Sequence, residues 1–145
     1  MKRNIFITGA SSGIGKAMAY SFGKNGDNLI LCARRKEKLQ EIKNDIEGRY
    51  DVKVDIYELD VTEYEKVRDT VKGIIKNSGK IDVLINNAGL ALGLEKFQDY
   101  NIADIERMID TNIKGLLYVT REVIPDMVKN NKGHIINIGS TAGIY

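Results

Sequence analysis

The sequence predicts a doubly wound α/β fold built on a parallel sheet. Three observations carry that reading. Short aliphatic runs alternate with stretches of 3.6-residue apolar periodicity along the chain. Several runs are apolar almost without interruption, as expected of strands covered on both faces. The first run enters a glycine-rich turn directly, Thr8-Gly9-Ala10-Ser11-Ser12-Gly13-Ile14-Gly15, and a helical pattern follows it.

In chain order, the strands are expected at Asn4–Thr8, Asn28–Cys32, Val54–Leu59, Ile81–Asn86 and His134–Ile138. Ile14, Ala17, Met18, Ser21 and Phe22 share one face of a first helix, which Gly26 can stop. Leu39, Ile42 and Ile46 mark a second helix closing near Gly48. Thr62 and Glu65 have the spacing of a capping box. Val67, Val71, Ile74 and Ile75 continue that third helix to Gly79. Ile102, Ile105, Met108 and Ile109 mark a fourth. Ile113, Leu116, Leu117, Thr120, Ile124, Met127 and Val128 mark a fifth, with Pro125 predicting a kink or early end. Strand–helix alternation implies right-handed crossovers between parallel strands. The expected strand order is 3-2-1-4-5, and ligands bind beyond the carboxyl ends of such strands, where the order reverses.

Composition narrows the function classes. At 145 residues the chain is expected to form one domain. Hydrophobic residues make up 43%, enough for a core, and charged residues of both signs 29%, which argues against disorder. A formal net charge of +2 is too small to suggest nucleic acid as a partner. Cys32 is the single cysteine, so no internal disulfide forms and no metal cluster is expected; its aliphatic setting reads as a buried strand. No apolar run approaches the ~20 residues of a membrane span, and Ile5-Phe6-Ile7 falls short of the ~7–15 residues of a signal-peptide core. A cytoplasmic protein with no membrane partner is expected.

The turn after the first strand has the means to hold a pyrophosphate. Gly9, Gly13 and Gly15 permit a sharp turn and close backbone approach, and the helix starting near Gly13 aims free N–H groups at an anion. Ser11 and Ser12 add hydroxyl donors. The alternative is a Gly/Ser turn without a ligand, which the preceding strand and following amphipathic helix disfavour. At the tip of the second strand, about twenty residues on, the carboxylate that would bind the ribose 2′-hydroxyl of NAD is missing. Cys32-Ala33-Arg34-Arg35-Lys36 stands there instead. A guanidinium fork suits a phosphate. NADP is therefore the expected cofactor, with Arg34 the main 2′-phosphate ligand and Arg35 supporting it. A solvated basic helix start is the alternative.

The segment Thr8–Gly15 resembles the cofactor loop of the short-chain dehydrogenase/reductase family. Leu59-Asp60-Val61-Thr62, Asn86-Asn87-Ala88-Gly89, Asp110-Thr111-Asn112 and Ile135-Ile136-Asn137-Ile138-Gly139-Ser140 match that family in the same order and spacing. The resemblance implies a Rossmann-type dinucleotide-binding domain over residues 1–145. It assigns Gly9, Ser11, Ser12, Gly13, Ile14, Gly15, Asp60, Val61, Asn86, Ala88 and Gly89 to the cofactor. Asp60 would accept from the adenine amino group, or alternatively cap the turn before Thr62. Asn86 would both border the adenosine ribose and tie the central strands together.

The family transfers a hydride between nicotinamide C4 and a carbonyl or alcohol carbon. By the same resemblance, Ser140 matches the serine that binds the substrate oxygen. Asn112, placed in the fourth helix, matches the asparagine of the proton relay. The family tyrosine lies about a dozen residues past that serine, with a lysine four residues later. Both positions, and the substrate lid, fall beyond Tyr145, so residues 1–145 are expected to be inactive alone. Tyr118 reads as packing on a helix face, and His134, at the far end of its strand from Ser140, as structural. The segments around Asn86–Gly93, Asn112 and Ser140 resemble most the NADP-dependent 3-hydroxy acid (serine) dehydrogenase branch, which implies a short 3-hydroxy acid as substrate. Relatives of this kind usually form oligomers through the fourth and fifth helices, so a homo-oligomer is expected. A non-catalytic NADP-binding module or a structural fragment is the alternative.

Overall fold

The computed structural model describes residues 2–92 and 95–140. Five parallel strands form one sheet: β1 (Asn4–Thr8), β2 (Asn28–Ala33), β3 (Val54–Glu58), β4 (Val83–Asn86) and β5 (His134–Asn137). The spatial order is β3-β2-β1-β4-β5, with β1 paired to both β2 and β4. The order therefore reverses between β1 and β4, as the sequence predicts. Leu59 and Ile138 each donate one further bond just past β3 and β5, to Ala33 and Asn86.

Among the described residues, five α-helices connect the strands: α1 (Gly13–Lys24), α2 (Lys36–Arg49), α3 (Tyr64–Ser78), α4 (Ile102–Ile109) and α5 (Leu116–Lys129). The strand alternation sorts the core into two layers. Ile5, Ile7, Leu29, Leu31, Val83 and Ile85 pack with Ala19 of α1 and Leu39, Ile42 and Ile46 of α2. Phe6, Ile30, Cys32 and Leu84 face the other way, onto Val67, Val71 and Ile74 of α3 and Val119, Val123 and Met127 of α5. Burial of such side chains stabilises by about 1.5–3 kcal/mol each before the entropy of ordering is set against it.

Several helices sit differently from the periodicity reading. Of the predicted α1 face, Met18 and Phe22 pack against the core while Ile14, Ala17 and Ser21 are exposed, and the fully buried residues are Gly15, Ala19 and Gly23. Small residues win because the helix lies close to α2: a Cβ on Gly23 would stand 2.9 Å from Ile46 Cγ2. The capping box does not form. Glu63 is the N-cap of α3, and the Thr62 hydroxyl donates to Asp60 instead, at 2.8 Å.

α4 buries none of its residues, and Ile102 and Ile109 are exposed. Asn112 lies outside α4, in a π-helical turn over Asp110–Gly115 that joins α4 to α5. α5 buries Val119, Val123 and Met127, while Ile113, Leu117, Ile124 and Val128 of the predicted stripe face solvent. α5 does not end early at Pro125 but runs on to Lys129. Val123 and Met127 anchor it to the sheet on either side of the proline. No helix among the described residues is long and apolar enough to cross a membrane.

Candidate functional site

The carboxyl ends of β1, β2, β3 and β4 open into a cleft of about 500 Å³. Its walls are the turn after β1 (Gly9, Ser11, Ser12, Ile14), the tip of β2 (Ala33, Arg34, Arg35), the segment after β3 (Leu59–Thr62), the segment after β4 (Asn87–Leu90) and the top of α4. The volume lies within the ~300–1,000 Å³ range of ligand pockets.

Backbone packing shapes the phosphate side. Gly9 adopts φ +61°, and a Cβ there would stand 2.8 Å from Ala88 Cα. Any side chain on Gly15 would collide with the Asn87 amide and the Gly9 carbonyl. The turn therefore fits against the segment after β4 only with glycine at both positions. Ser12 is the N-cap of α1 but makes no side-chain cap bond, so the hydroxyl does not occupy the helix N-terminus. Ala10 N–H donates to Cys32 O at 3.1 Å, fastening the turn to β2.

A side-chain clasp joins the turn to β4. The buried Thr8 hydroxyl accepts from Asn87 N–H at 3.0 Å and Ala88 N–H at 2.9 Å. In return the Asn87 amide donates to Thr8 O at 3.2 Å and Gly9 O at 3.1 Å. Sequence reasoning assigned Asn87 no role of its own. Its neighbour Asn86 lies outside the cleft lining and points into the core. Asn86 donates to Thr120 Oγ1 and Asn137 Oδ1, both at 2.9 Å, tying β4 to α5 and β5. Successive strand residues face opposite ways, which separates the two asparagines.

Asp60 lines the cleft and also holds its own turn. Its Oδ1 accepts from Thr62 N–H at 3.0 Å and from the Thr62 hydroxyl. The two readings of Asp60 are thus compatible, since one oxygen is engaged locally while the side chain borders the cleft. Val61, Ala88 and Gly89 also border it. Gly13 and Gly15 shape the turn without lining the cleft.

Arg34 and Arg35 both line the cleft, and neither guanidinium has an ion-pair or hydrogen-bond partner among the described residues. Asn112 sits behind the wall rather than in it. Its amide donates to Leu90 O and accepts from Leu90 N–H, each at 2.8 Å. This pair imitates a backbone ladder and fixes the segment after β4 to the π-helical turn. Ser140 lies three residues past the end of β5 and outside the cleft lining. His134 opens β5 at the opposite end of the sheet and is exposed. Tyr118 packs edge-on against Tyr64, with ring centroids 5.2 Å apart. Gly93 and Tyr145 lie outside the described residues.

The cleft thus offers a glycine-backed anion turn and two guanidiniums without ion-pair partners among the described residues. A family model described as short chain dehydrogenase matches residues 3–145. An NADP-dependent 3-hydroxy acid dehydrogenase of Schizosaccharomyces pombe is 46% identical over 142 residues, covering 97% of this chain and 55% of that protein. A serine dehydrogenase solved in a closed form with NADP+ superposes with a TM-score of 0.88 at 42% identity, over 98% of this chain and 56% of that one. An NAD+-bound xylitol dehydrogenase superposes with a TM-score of 0.94 at 32% identity, over 98% and 54%. The chain spans about half the length of the curated relatives it matches. Fold similarity alone does not separate the two cofactors, because the NAD+ protein superposes at least as well.

Proposed function

Because the chain belongs to the short chain dehydrogenase family, we propose that it is the dinucleotide-binding part of an NADP-dependent oxidoreductase acting on a short 3-hydroxy acid or the matching carbonyl compound. One observation carries the cofactor choice. The tip of β2 presents Arg34 and Arg35 to the cleft where an NAD enzyme would place a carboxylate. The site fits the group. A Cβ on Gly13 would have nothing within 4 Å, so the N-terminus of α1 is open to a pyrophosphate, and Ser11 and Ser12 line the cleft beside it.

When bound, the nicotinamide would supply or accept the hydride. The chain's own residues bind and orient. Arg34 and Arg35 hold the 2′-phosphate, Asp60 and Val61 border the adenine, and Ala88 and Gly89 run along the adenosine ribose. Asn112 keeps that wall in place through Leu90, and Ser140, at the carboxyl end of β5, holds the substrate oxygen. The family's tyrosine and lysine have no counterparts after Ser140 in residues 1–145. A polypeptide of those residues alone would lack a positioned general acid, a contribution of about 10²–10⁴-fold. It is inferred to be inactive, which an assay of NADPH oxidation by that polypeptide checks. The substrate class is supported by the similarity to the Schizosaccharomyces pombe 3-hydroxy acid dehydrogenase. A cytoplasmic location is proposed with it. Ile113, Leu117, Ile124 and Val128 expose an aliphatic stripe that suits a second copy of the chain.

Substitution of Arg34 tests the cofactor reading. A hydrogen bond to a charged group contributes ~1.5–3 kcal/mol, so Arg34→Ala is expected to weaken NADPH binding about ten- to a hundredfold. NADH binding should be nearly unchanged. Equal loss for both cofactors refutes the assignment.

A further inference from the structure

The chain contains seven arginines. Four are paired with carboxylates: Arg3 with Asp27, Arg49 with Asp45, Arg68 with Asp69 and Arg121 with Glu122. The other three, Arg34, Arg35 and Arg107, have no ion-pair partner among the described residues, and all three line the same cleft. Arg34 and Arg35 come from the tip of β2. Arg107 comes from α4, an element that the cofactor reading leaves unused.

The position of α4 brings Arg107 to the cleft. Ala103, Glu106, Arg107, Asp110 and Thr111 all line the cleft, a spacing that places them on one face of the helical segment. The π-helical turn that follows is seated on Val61: a Cβ on Gly115 would stand 3.1 Å from Val61 Cβ. α4 therefore borders the cleft that also holds Arg34, Arg35, Asp60 and Val61, whereas Ser140 lies outside that lining. Two carboxylates share its face. Asp110 is engaged by Lys114 at 3.2 Å. Hydrogen bonding to Asp110 is the main cause holding the Lys114 pKa above its ordinary value, with Glu106 adding to it. Lys114 thus serves Asp110 directly and Glu106 at longer range, and Arg107 has no ion-pair partner among the described residues.

We propose that Arg107 contacts the 2′-phosphate of the dinucleotide from α4 and, with Arg34 and Arg35, makes a three-arginine anion pocket gripped from two walls. This rests on the NADP reading above. A guanidinium presents two parallel donors to a phosphate, so Arg107 discriminates by the presence of that phosphate rather than by the adenine.

Calorimetric titration of the full-length protein with NADP+, NAD+ and adenosine 2′,5′-bisphosphate tests the proposal. Loss of one charge-assisted contact predicts that Arg107→Gln weakens NADP+ and the bisphosphate about tenfold, and NAD+ by less than about twofold. Arg107→Lys should recover part of the loss. Unchanged NADP+ affinity in Arg107→Gln overturns the proposal. So does an equal loss for NADP+ and NAD+, which would place Arg107 on the adenine or in the fold. Arg34→Ala, titrated in parallel, separates the two levels. If it abolishes the preference for NADP+ while Arg107→Gln keeps it, only Arg107 has been misassigned. If the parent protein does not prefer NADP+ at all, the NADP reading itself falls.

Discussion

Gly9→Ala is the most direct perturbation of the phosphate turn. The new Cβ would stand 2.8 Å from Ala88 Cα, 3.1 Å from Ala88 N and 3.2 Å from Asn87 Nδ2. Carbon atoms rest at about 3.5–4.0 Å, so the turn and the segment after β4 must separate by roughly 0.7 Å or more. The backbone neighbours cannot swing aside as a flexible side chain would. Gly9 also holds φ +61°, which adds about 1–2 kcal/mol for a residue with a Cβ. Separation stretches the two Asn87 bonds to Thr8 O and Gly9 O, each contributing about 0.5–1.5 kcal/mol. Together these predict a destabilisation of about 2–4 kcal/mol. With a urea m-value near ~2 kcal/mol/M, the midpoint should fall by about 1–2 M, read by far-ultraviolet circular dichroism. Gly73→Ala is the matched control. Gly73 lies inside α3, and a Cβ there would have nothing within 4 Å, so alanine should stabilise by about 0.5–1 kcal/mol. Equal midpoints for Gly9→Ala and the parent protein would refute the close-packing argument. Dinucleotide affinity should drop in Gly9→Ala and be untouched in Gly73→Ala.

Three further outcomes follow from other parts of the fold. Thr8→Val removes the acceptor of two backbone N–H groups, Asn87 and Ala88; at about 1–3 kcal/mol per unsatisfied group, denaturant melts should show a loss of about 2–6 kcal/mol. Asp27 accepts two bonds from Arg3, at 2.9 and 3.0 Å, and that hydrogen bonding holds its pKa below the ordinary carboxylate value. The pair's contribution is therefore present above about pH 4 and is lost as pH falls through the depressed pKa. In thermal melts across that range, Asp27→Asn should remove this acid-side decline, and an unchanged pH profile would contradict it. Burial pushes the Cys32 thiol up to about 12, so the native protein should resist alkylation at about pH 8 and react fully once unfolded.

Much of the site was legible as chemistry before it was legible as geometry. The glycine turn and the basic tip of β2 follow from local sequence. Each depends on neighbours within one strand–turn–helix unit, where residue type and spacing dictate conformation. The helix faces were less legible, because periodicity shows that a helix has an apolar side without showing which apolar side meets the sheet. α5 carries aliphatic residues nearly all round, and only packing against Phe6 and Leu84 selects Val119, Val123 and Met127 for burial. α1 turned its smallest residues inward because close approach to α2 outweighed the hydrophobicity of Ile14.

The sequence by itself determined the strands, the helices and the identity of an anion-binding turn, since glycine spacing and aliphatic runs act over a few residues; the strand order was expected from the topology rule for alternating strands and helices. Tertiary structure decided the long-range matters. It assigned the clasp to Asn87 rather than Asn86, because the last β4 residue faces α5 and the next one faces Thr8, 79 positions away in the chain. It moved Asn112 from a regular helix into a π-helical turn, where the wider winding points the amide at Leu90. It brought Arg107 into a cleft with Arg34 and Arg35, although 72 positions separate it from Arg35 in the chain. Contacts of that span are set by how elements pack, and local propensity carries no record of them.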